Sequence, residues 1–416
     1  MPKHPSTGVA APGPGRHTWL APQSHGIGDP WLAASPPIYQ TATFEQTSPE
    51  GFGRFDYSRS GNPTRELLER HVARLEGAAG CAAFASGMAA LAAVTRLLRP
   101  GDRLVAHLDL YGGTQRLLTQ LCAERGIDVV YADLVDGDLG AITDGTRLVL
   151  VESLTNPLWR APDLQALAGR SRAVGALLAV DATAMSPWLQ RPLALGADLV
   201  VHSATKHLGG HGDVTAGVVS ASTDEVHRRI AFVQNAEGAG LGPFDSWLLL
   251  RGMRTLGVRV DRQQASATAI AAALAERPDL SAVHHPSLPG HPDRTRHAAQ
   301  AEGPGVVLSV ETGDERRSLA VVRALQRFGV AVSFGSVDST ASLPCRMSHA
   351  SVPASLRAVR GLPPDLIRLS IGLEDPADLL VDLRQALDRT AAEASPRASP
   401  WRAPEAPRGR STSAPA

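Results

Sequence analysis

Five short, unbroken apolar runs dominate the first 204 residues: RLVAH (103–107), DVVYA (128–132), RLVLVES (147–153), ALLAVDA (176–182) and DLVVHSA (198–204). None alternates polar with apolar, so none is a strand with one wet face. Such runs, separated by helical stretches, are the mark of parallel strands covered on both sides. The chain is therefore expected to build an α/β domain around a mainly parallel sheet. TRELLERHVARLEG reads as an amphipathic helix closed by Gly77, and CAAFAS as a further short run that leads into a second helix, GMAALAAVTRLLRPG.

The texture changes after about Leu256. An Ala-rich helix, RVDRQQASATAIAAALAERP, leaves the first domain. GVVLSVE, GVAVSFG and LIRLSIG read as strands of a smaller α+β domain, and DPADLLVDLRQALDRTAAEA as its last helix. The expected division is a disordered tail at 1–16, an arm at 17–60, a cofactor-binding domain at 61–256, a substrate domain at 257–391 and a second disordered tail at 392–416. Both tails are rich in Pro, Gly and small residues. No repeat of fixed spacing is found.

Charge excludes some partners. Lys+Arg and Asp+Glu both number 41, so the formal net charge is zero, which argues against general nucleic-acid or membrane-surface binding. The three cysteines, Cys81, Cys122 and Cys345, form no CxxC pair. That predicts no disulfide framework or metal site, and a cytoplasmic protein. No apolar stretch has the length of a membrane span or the form of a signal peptide. Lysine is rare: only Lys3 and Lys206 occur, and Lys3 falls in the first tail.

In open parallel sheets, ligands bind at the carboxyl ends of the strands. RLVLV is followed there by Glu152, Ser153 and Asn156, ALLAV by Asp181, and DLVV by His202, Ser203, Thr205 and Lys206. Pyridoxal phosphate (PLP) chemistry needs a lysine amine to hold the cofactor as a Schiff base. It also needs a carboxylate at the pyridine nitrogen, because a protonated ring is the better electron sink. Lys206 and Asp181 suit these roles. ASGMAA, which contains Ser86, Gly87 and Met88, follows a strand and opens a helix, so its N–H groups suit a phosphate, with hydroxyls from Ser203 and Thr205 beside them. Tyr111, in LYGGT, is the natural aromatic face over the ring.

SATKHLGGH (203–211) resembles the cofactor-lysine signature of the Cys/Met-metabolism PLP enzymes, which include cystathionine γ-synthase, cystathionine γ-lyase, cystathionine β-lyase and methionine γ-lyase. YSRSGNPTRELLE, AFASGMAA, YGGT, ESLTNP, SPWLQRPLALGADLVVHSATK, PFDSWLLLRGMRTL and LIRLSIGLED resemble family segments in family order, over roughly 35–390. The resemblance implies PLP fold type I, like aspartate aminotransferase, and a homotetramer of two catalytic dimers. It implies that Tyr57 and Arg59 reach the neighbouring subunit's phosphate, that Gly87 and Met88 bind phosphate, and that Tyr111 stacks on the ring. Asn156 would lie near the ring oxygen and the substrate carboxylate, and Arg368 would clamp that carboxylate, with Ser339 assisting.

The same resemblance implies γ-elimination or γ-replacement on a sulfur-containing or O-acyl-homoserine-type amino acid. Asp56 and Asp338 match positions where an acid holds the distal ammonium of cystathionine. Gly113 stands where methionine γ-lyases usually carry cysteine, and YGGT also disfavours a β-lyase. Ala182, His207 and VSFGSVDS (332–339) depart from the common pattern. These departures are expected near the substrate, and they leave open a γ-replacement in a specialised pathway. Outside the class, a nicotinamide-binding reductase fails because GGHGDVTAG is not GxGxxG between strand and helix. A metal site on His207 and His211 lacks a third ligand, and a non-catalytic scaffold has no need of the Asp181–Lys206 pair.

Overall fold

A computed structural model describes residues 15–20, 29–136, 139–348, 350, 357, 358 and 360–391. Most of the two expected tails, and Lys3, lie outside the described residues. Gly15 and Arg16 are the exception: Arg16 opens a helical turn, Arg16–Trp19, and pairs with Glu302.

The first sheet has seven strands: β1 (Gly80–Phe84), β2 (Arg103–His107), β3 (Asp128–Ala132), β4 (Thr146–Glu152), β5 (Leu177–Asp181), β6 (Leu199–His202) and β7 (Gly217–Ala221), in the order β1-β7-β6-β5-β4-β2-β3. β2 to β6 run parallel, while β7 lies antiparallel between β1 and β6. The sheet is thus mainly parallel, as expected, although the GVVSA strand that completes it was not foreseen.

Its faces explain the unbroken apolar runs. Leu104, Leu148, Leu150 and Val201 point to one side, and Val105, Val149, Val151 and Val180 to the other. Helix α1 (Pro63–Glu76) starts at Asn62, whose side chain accepts from Thr64 N at 3.0 Å, and stops at Gly77 in the left-handed region (φ 68°). It buries Leu67, Leu68, Val72 and Leu75. Helix α2 (Gly87–Thr95) packs Leu91 and Val94 on the same face of the sheet as Ile230 from helix α3 (Asp224–Glu237).

The second sheet orders β8 (Ala282–His284), β9 (Val307–Glu311), β10 (Gly329–Val330), β11 (Thr340–Ser342) and β12 (Leu366–Ser370) as β10-β11-β12-β9-β8. Helices α4 (Leu256–Ala275) and α5 (Pro376–Arg389) cover it with Ile270, Leu274, Leu379 and Leu383. One expectation fails here. GVAVSFG is not a strand throughout: only Gly329 and Val330 pair, and the chain then bends at Ser333, which has a positive φ of 82°. That bend carries Ser333 to the first sheet's edge.

Candidate active site

The carboxyl ends of β4, β5 and β6 are in register, with Glu152 beside Asp181 and Asp181 beside Val201. Lys206 follows β6 by one turn. Its amine bonds the Ser333 hydroxyl at 2.5 Å. Burial pulls the amine's pKa down to about 8; nearby Arg368 adds to this, while Asp181 opposes it. Burial also pushes the Asp181 carboxyl up, against donors from Thr183 and the nearby His202 and Lys206.

Thr183 ties these parts together. Its N–H and hydroxyl both donate to Asp181 Oδ1, and its oxygen accepts from Ser203 N at 2.8 Å. Thr183 is not among the site residues expected from the sequence. An Asp-x-Thr after a strand is its signal, because the short hydroxyl can orient the carboxylate two residues back.

Beside Ser203 lies a cradle that suits an anion. Ser86 caps α2 by accepting from Ala89 N at 3.1 Å. Gly87 and Met88 precede the first intrahelical donor, Ala90, whose N–H bonds the Ser86 carbonyl, so their own N–H groups are open to a ligand. A Cβ on Gly87 would lie 2.7 Å from Ser203 Cβ, and one on Gly217 2.2 Å from the Ser86 carbonyl oxygen, so both glycines are needed for this close approach. The Ser203 hydroxyl makes no hydrogen bond among the described residues, whereas the Thr205 hydroxyl is engaged with Ala216, accepting from its N–H at 2.9 Å. Open N–H groups and a free hydroxyl at one end, with a buried carboxylate and an amine at the other, fit the phosphate and ring of PLP.

Arg368 projects from β12 and is only 2% exposed. It donates to Asn156 Oδ1 at 3.1 Å and to the Ser333 carbonyl at 2.8 Å, both neutral acceptors. Burial lowers its pKa to about 10, with Tyr111 the opposing influence. Tyr111 itself is 41% exposed, and its N–H donates to Glu152 Oε1 at 2.6 Å. Phe334 sits between the two cations, its ring 5.5 Å from the Lys206 amine and 5.5 Å from the Arg368 guanidinium.

Ser339 is not at this centre. Its hydroxyl donates to Glu374 at 2.7 Å and accepts from Gly372 N at 2.8 Å. The serine that meets both Arg368 and Lys206 is Ser333, which the sequence reading had placed inside a strand. Asp56 accepts from Tyr57 N at 2.7 Å, and Asp338 is exposed on its loop; no bond joins either to Lys206 or Arg368. Tyr57 and Arg59 stack on each other at 5.2 Å, and Arg59 bonds Asn235. Ala182 (0% exposed) and His207 (2%) are buried, and the His207 ring lies 5.8 Å from that of Phe334. His207 Nε2 lies 3.1 Å from the Ala184 carbonyl and His211 Nδ1 2.8 Å from the Gly209 carbonyl, and among the described residues no group of three or more His, Cys, Asp or Glu side chains could hold a metal ion.

With this geometry in place, similarity to known proteins is decisive. The family model for Cys/Met metabolism PLP-dependent enzymes matches residues 27–388. This chain belongs to that family. It is 47% identical to the chloroplastic cystathionine beta-lyase of Mimosa pudica, over 86% of this chain and 79% of that protein. It is 42% identical to a cystathionine gamma-lyase of Bacillus subtilis, over 86% and 94%. The structure of cystathionine gamma synthase from Xanthomonas oryzae pv. oryzae in complex with cystathionine superposes with a TM-score of 0.89 at 40% identity, covering 91% of this chain and 99% of that one. The chain is thus a PLP-dependent enzyme of fold type I. Relatives named for β- and for γ-cleavage lie at similar identity, so the ranking does not choose the bond that is cut.

Proposed function

We propose that the enzyme performs γ-elimination or γ-replacement on a cystathionine- or O-acyl-homoserine-type amino acid. The reading rests on one observation: Lys206, an amine whose pKa burial lowers, lies beside a buried arginine, Arg368, that has no carboxylate partner among the described residues, at the strand ends that carry Asp181.

PLP, when bound, supplies the electron sink for negative charge developing next to the substrate's amino group. The chain does the rest. Asp181 holds the ring nitrogen protonated, and its Thr183 donors keep the carboxylate aimed. Gly87, Met88 and Ser203 hold the phosphate, with Ser86 and Thr205 shaping the cradle. Arg368 and Asn156 grip the substrate carboxylate, which fixes the α-proton toward Lys206. The Lys206 amine would take that proton and, once it has passed it on and is neutral again, would take one from the β-carbon, so that the electron pair left there expels the group on the γ-carbon. Ser333 holds the amine between these positions, and Tyr111 covers the ring and assists the leaving group.

Tyr57 and Arg59 complete a neighbouring subunit's phosphate site. The exposure of both and the stacking of Arg59 on Tyr57 support a site shared between subunits of a homotetramer. Three free cysteines support a reducing cytosol, and no described helix is long and apolar enough to cross a membrane.

Product analysis with L-cystathionine tests the reaction. Cysteine, α-ketobutyrate and ammonia are expected. Homocysteine, pyruvate and ammonia would instead make this a β-lyase. O-acyl-homoserine with cysteine, assayed alongside, shows whether replacement competes with elimination.

A further inference from the structure

The peptide unit between Leu110 and Tyr111 is gripped at both ends by ionisable side chains. Its N–H donates to Glu152 Oε1 at 2.6 Å. Its carbonyl accepts from Arg360 Nη1 at 3.0 Å. Both side chains are 7% exposed. The peptide dipole therefore lies with its positive end on a carboxyl oxygen and its negative end on a guanidinium. Burial and the neighbouring Asp181 push the Glu152 carboxyl well up, so the charged grip is the guanidinium: turning the plane over would aim N–H at that buried cation, a repulsive contact, and would break the bond to Glu152.

The two grips come from different parts of the fold. Glu152 ends β4, while Arg360 precedes β12 of the second sheet. Among the described residues, Arg360 Nε and Nη2 have no hydrogen-bond partner, and neither does Asp109 Oδ1. Asp109 and Glu152 are the carboxylates that compensate this buried guanidinium electrostatically. A guanidinium present only to neutralise buried acids would be expected to bond them. This one directs its hydrogen bond to the carbonyl that leads into Tyr111. Tyr111 then departs with φ −47° and ψ 136° into the helical turn Gly112–Arg116. Two bonds on the preceding peptide set where its ring goes.

We propose that Arg360 is a positioning residue for the reaction: with Glu152 it fixes the Leu110–Tyr111 peptide, and through it the Tyr111 ring. The inference rests on the reading of Tyr111 as the ring over the cofactor. It makes the second sheet's approach to the first part of the catalytic geometry, because losing Arg360 releases a ring that it never touches.

The test uses the PLP-loaded enzyme with Arg360→Leu, Arg360→Lys, Tyr111→Phe and the Arg360→Leu/Tyr111→Phe double variant. Amide hydrogen exchange of segment 108–116 in Arg360→Leu should quicken about tenfold. kcat/KM should fall about tenfold, mainly in kcat, and the visible circular dichroism of the bound cofactor should change. Arg360→Lys should restore most of each. In the Tyr111→Phe background the Arg360 change should cost less than about twofold, because its effect on activity runs through the placement of the Tyr111 hydroxyl. Unchanged exchange and dichroism in Arg360→Leu, or an equal activity loss with and without the Tyr111 hydroxyl, would overturn the proposal. If Arg360→Leu does not fold, Arg360→Gln, which keeps a donor without the charge, carries the same comparison. Full activity in Tyr111→Phe together with quickened exchange in Arg360→Leu would reject the role given to Tyr111 while leaving the clamp standing.

Discussion

Replacing Arg368 by methionine should separate function from stability. The guanidinium is 2% exposed and, among the described residues, bonds only neutral acceptors. Burial takes its pKa from 12.5 to about 10, which corresponds to roughly 3 kcal/mol against the charged form in the substrate-free protein. Its two hydrogen bonds return a similar amount, at roughly 1.5 kcal/mol each. Methionine fills a comparable volume without the charge, and replacing a buried charge in this way is often neutral or stabilising. Arg368→Met is therefore expected to keep its unfolding free energy within about 1 kcal/mol of wild type. The substrate carboxylate, by contrast, loses a bidentate, charge-assisted partner, so kcat/KM should fall about 10²- to 10³-fold, mostly through KM. Steady-state kinetics and thermal melts of the PLP-loaded protein give both numbers. A non-eliminating amino acid such as L-alanine adds a control: at about 100 times its Kd it should stabilise wild type by roughly 2.7 kcal/mol and leave the variant's midpoint unmoved. Wild-type kcat/KM in the variant would refute the reasoning. So would a loss of several kcal/mol with substrate affinity intact, since Arg368 would then be a structural residue.

Three further outcomes are expected. The Lys206 amine, lowered to about 8, is neutral at pH 7 in roughly one molecule in ten, about 300-fold more often than at the usual 10.5. Cofactor capture by the apoenzyme should thus rise about tenfold per pH unit up to pH 8 and level off above; a rate still climbing past pH 10 argues for an unperturbed lysine. Ser333→Ala should lower kcat with little change in melting temperature, while Ser339→Ala should cost about 1 kcal/mol of stability through Glu374 and Gly372 and leave KM alone; the reverse pattern would restore Ser339 to the substrate. Gly113→Cys places a Cβ 2.5 Å from the Tyr111 ring and 2.8 Å from Met88 Sδ. The half-exposed ring should swing away, lowering kcat/KM about tenfold without a stability loss, and unchanged kinetics would show that its position does not matter.

The parallel strands were legible because burial on both faces leaves an unbroken apolar run, and the strand ends then named Asp181 and Lys206. GVVSA is as apolar as its neighbours, yet a search for strand–helix alternation passed over an antiparallel strand inserted between β1 and β6. GVAVSFG misled in the opposite way. Its β-branched residues favour a strand, but a tertiary bond from Ser333 to Lys206, 127 residues apart in sequence, bends the chain there. The choice of Ser339 over Ser333 follows from the same cause: two serines in one loop look equivalent until the fold gives one of them to Glu374. Arg360 was invisible because its partner is a backbone carbonyl 250 residues away, which leaves no mark in sequence.

Borohydride reduction of the PLP-loaded enzyme, followed by peptide mapping, tests the central assignment most directly. Reduction locks the cofactor onto the lysine that holds it, and the chain offers only Lys3 and Lys206. The account predicts one phosphopyridoxyl group, on the peptide carrying Ser203 to His211 at Lys206. A label on Lys3, or an active yellow enzyme that carries no label at Lys206, would contradict it.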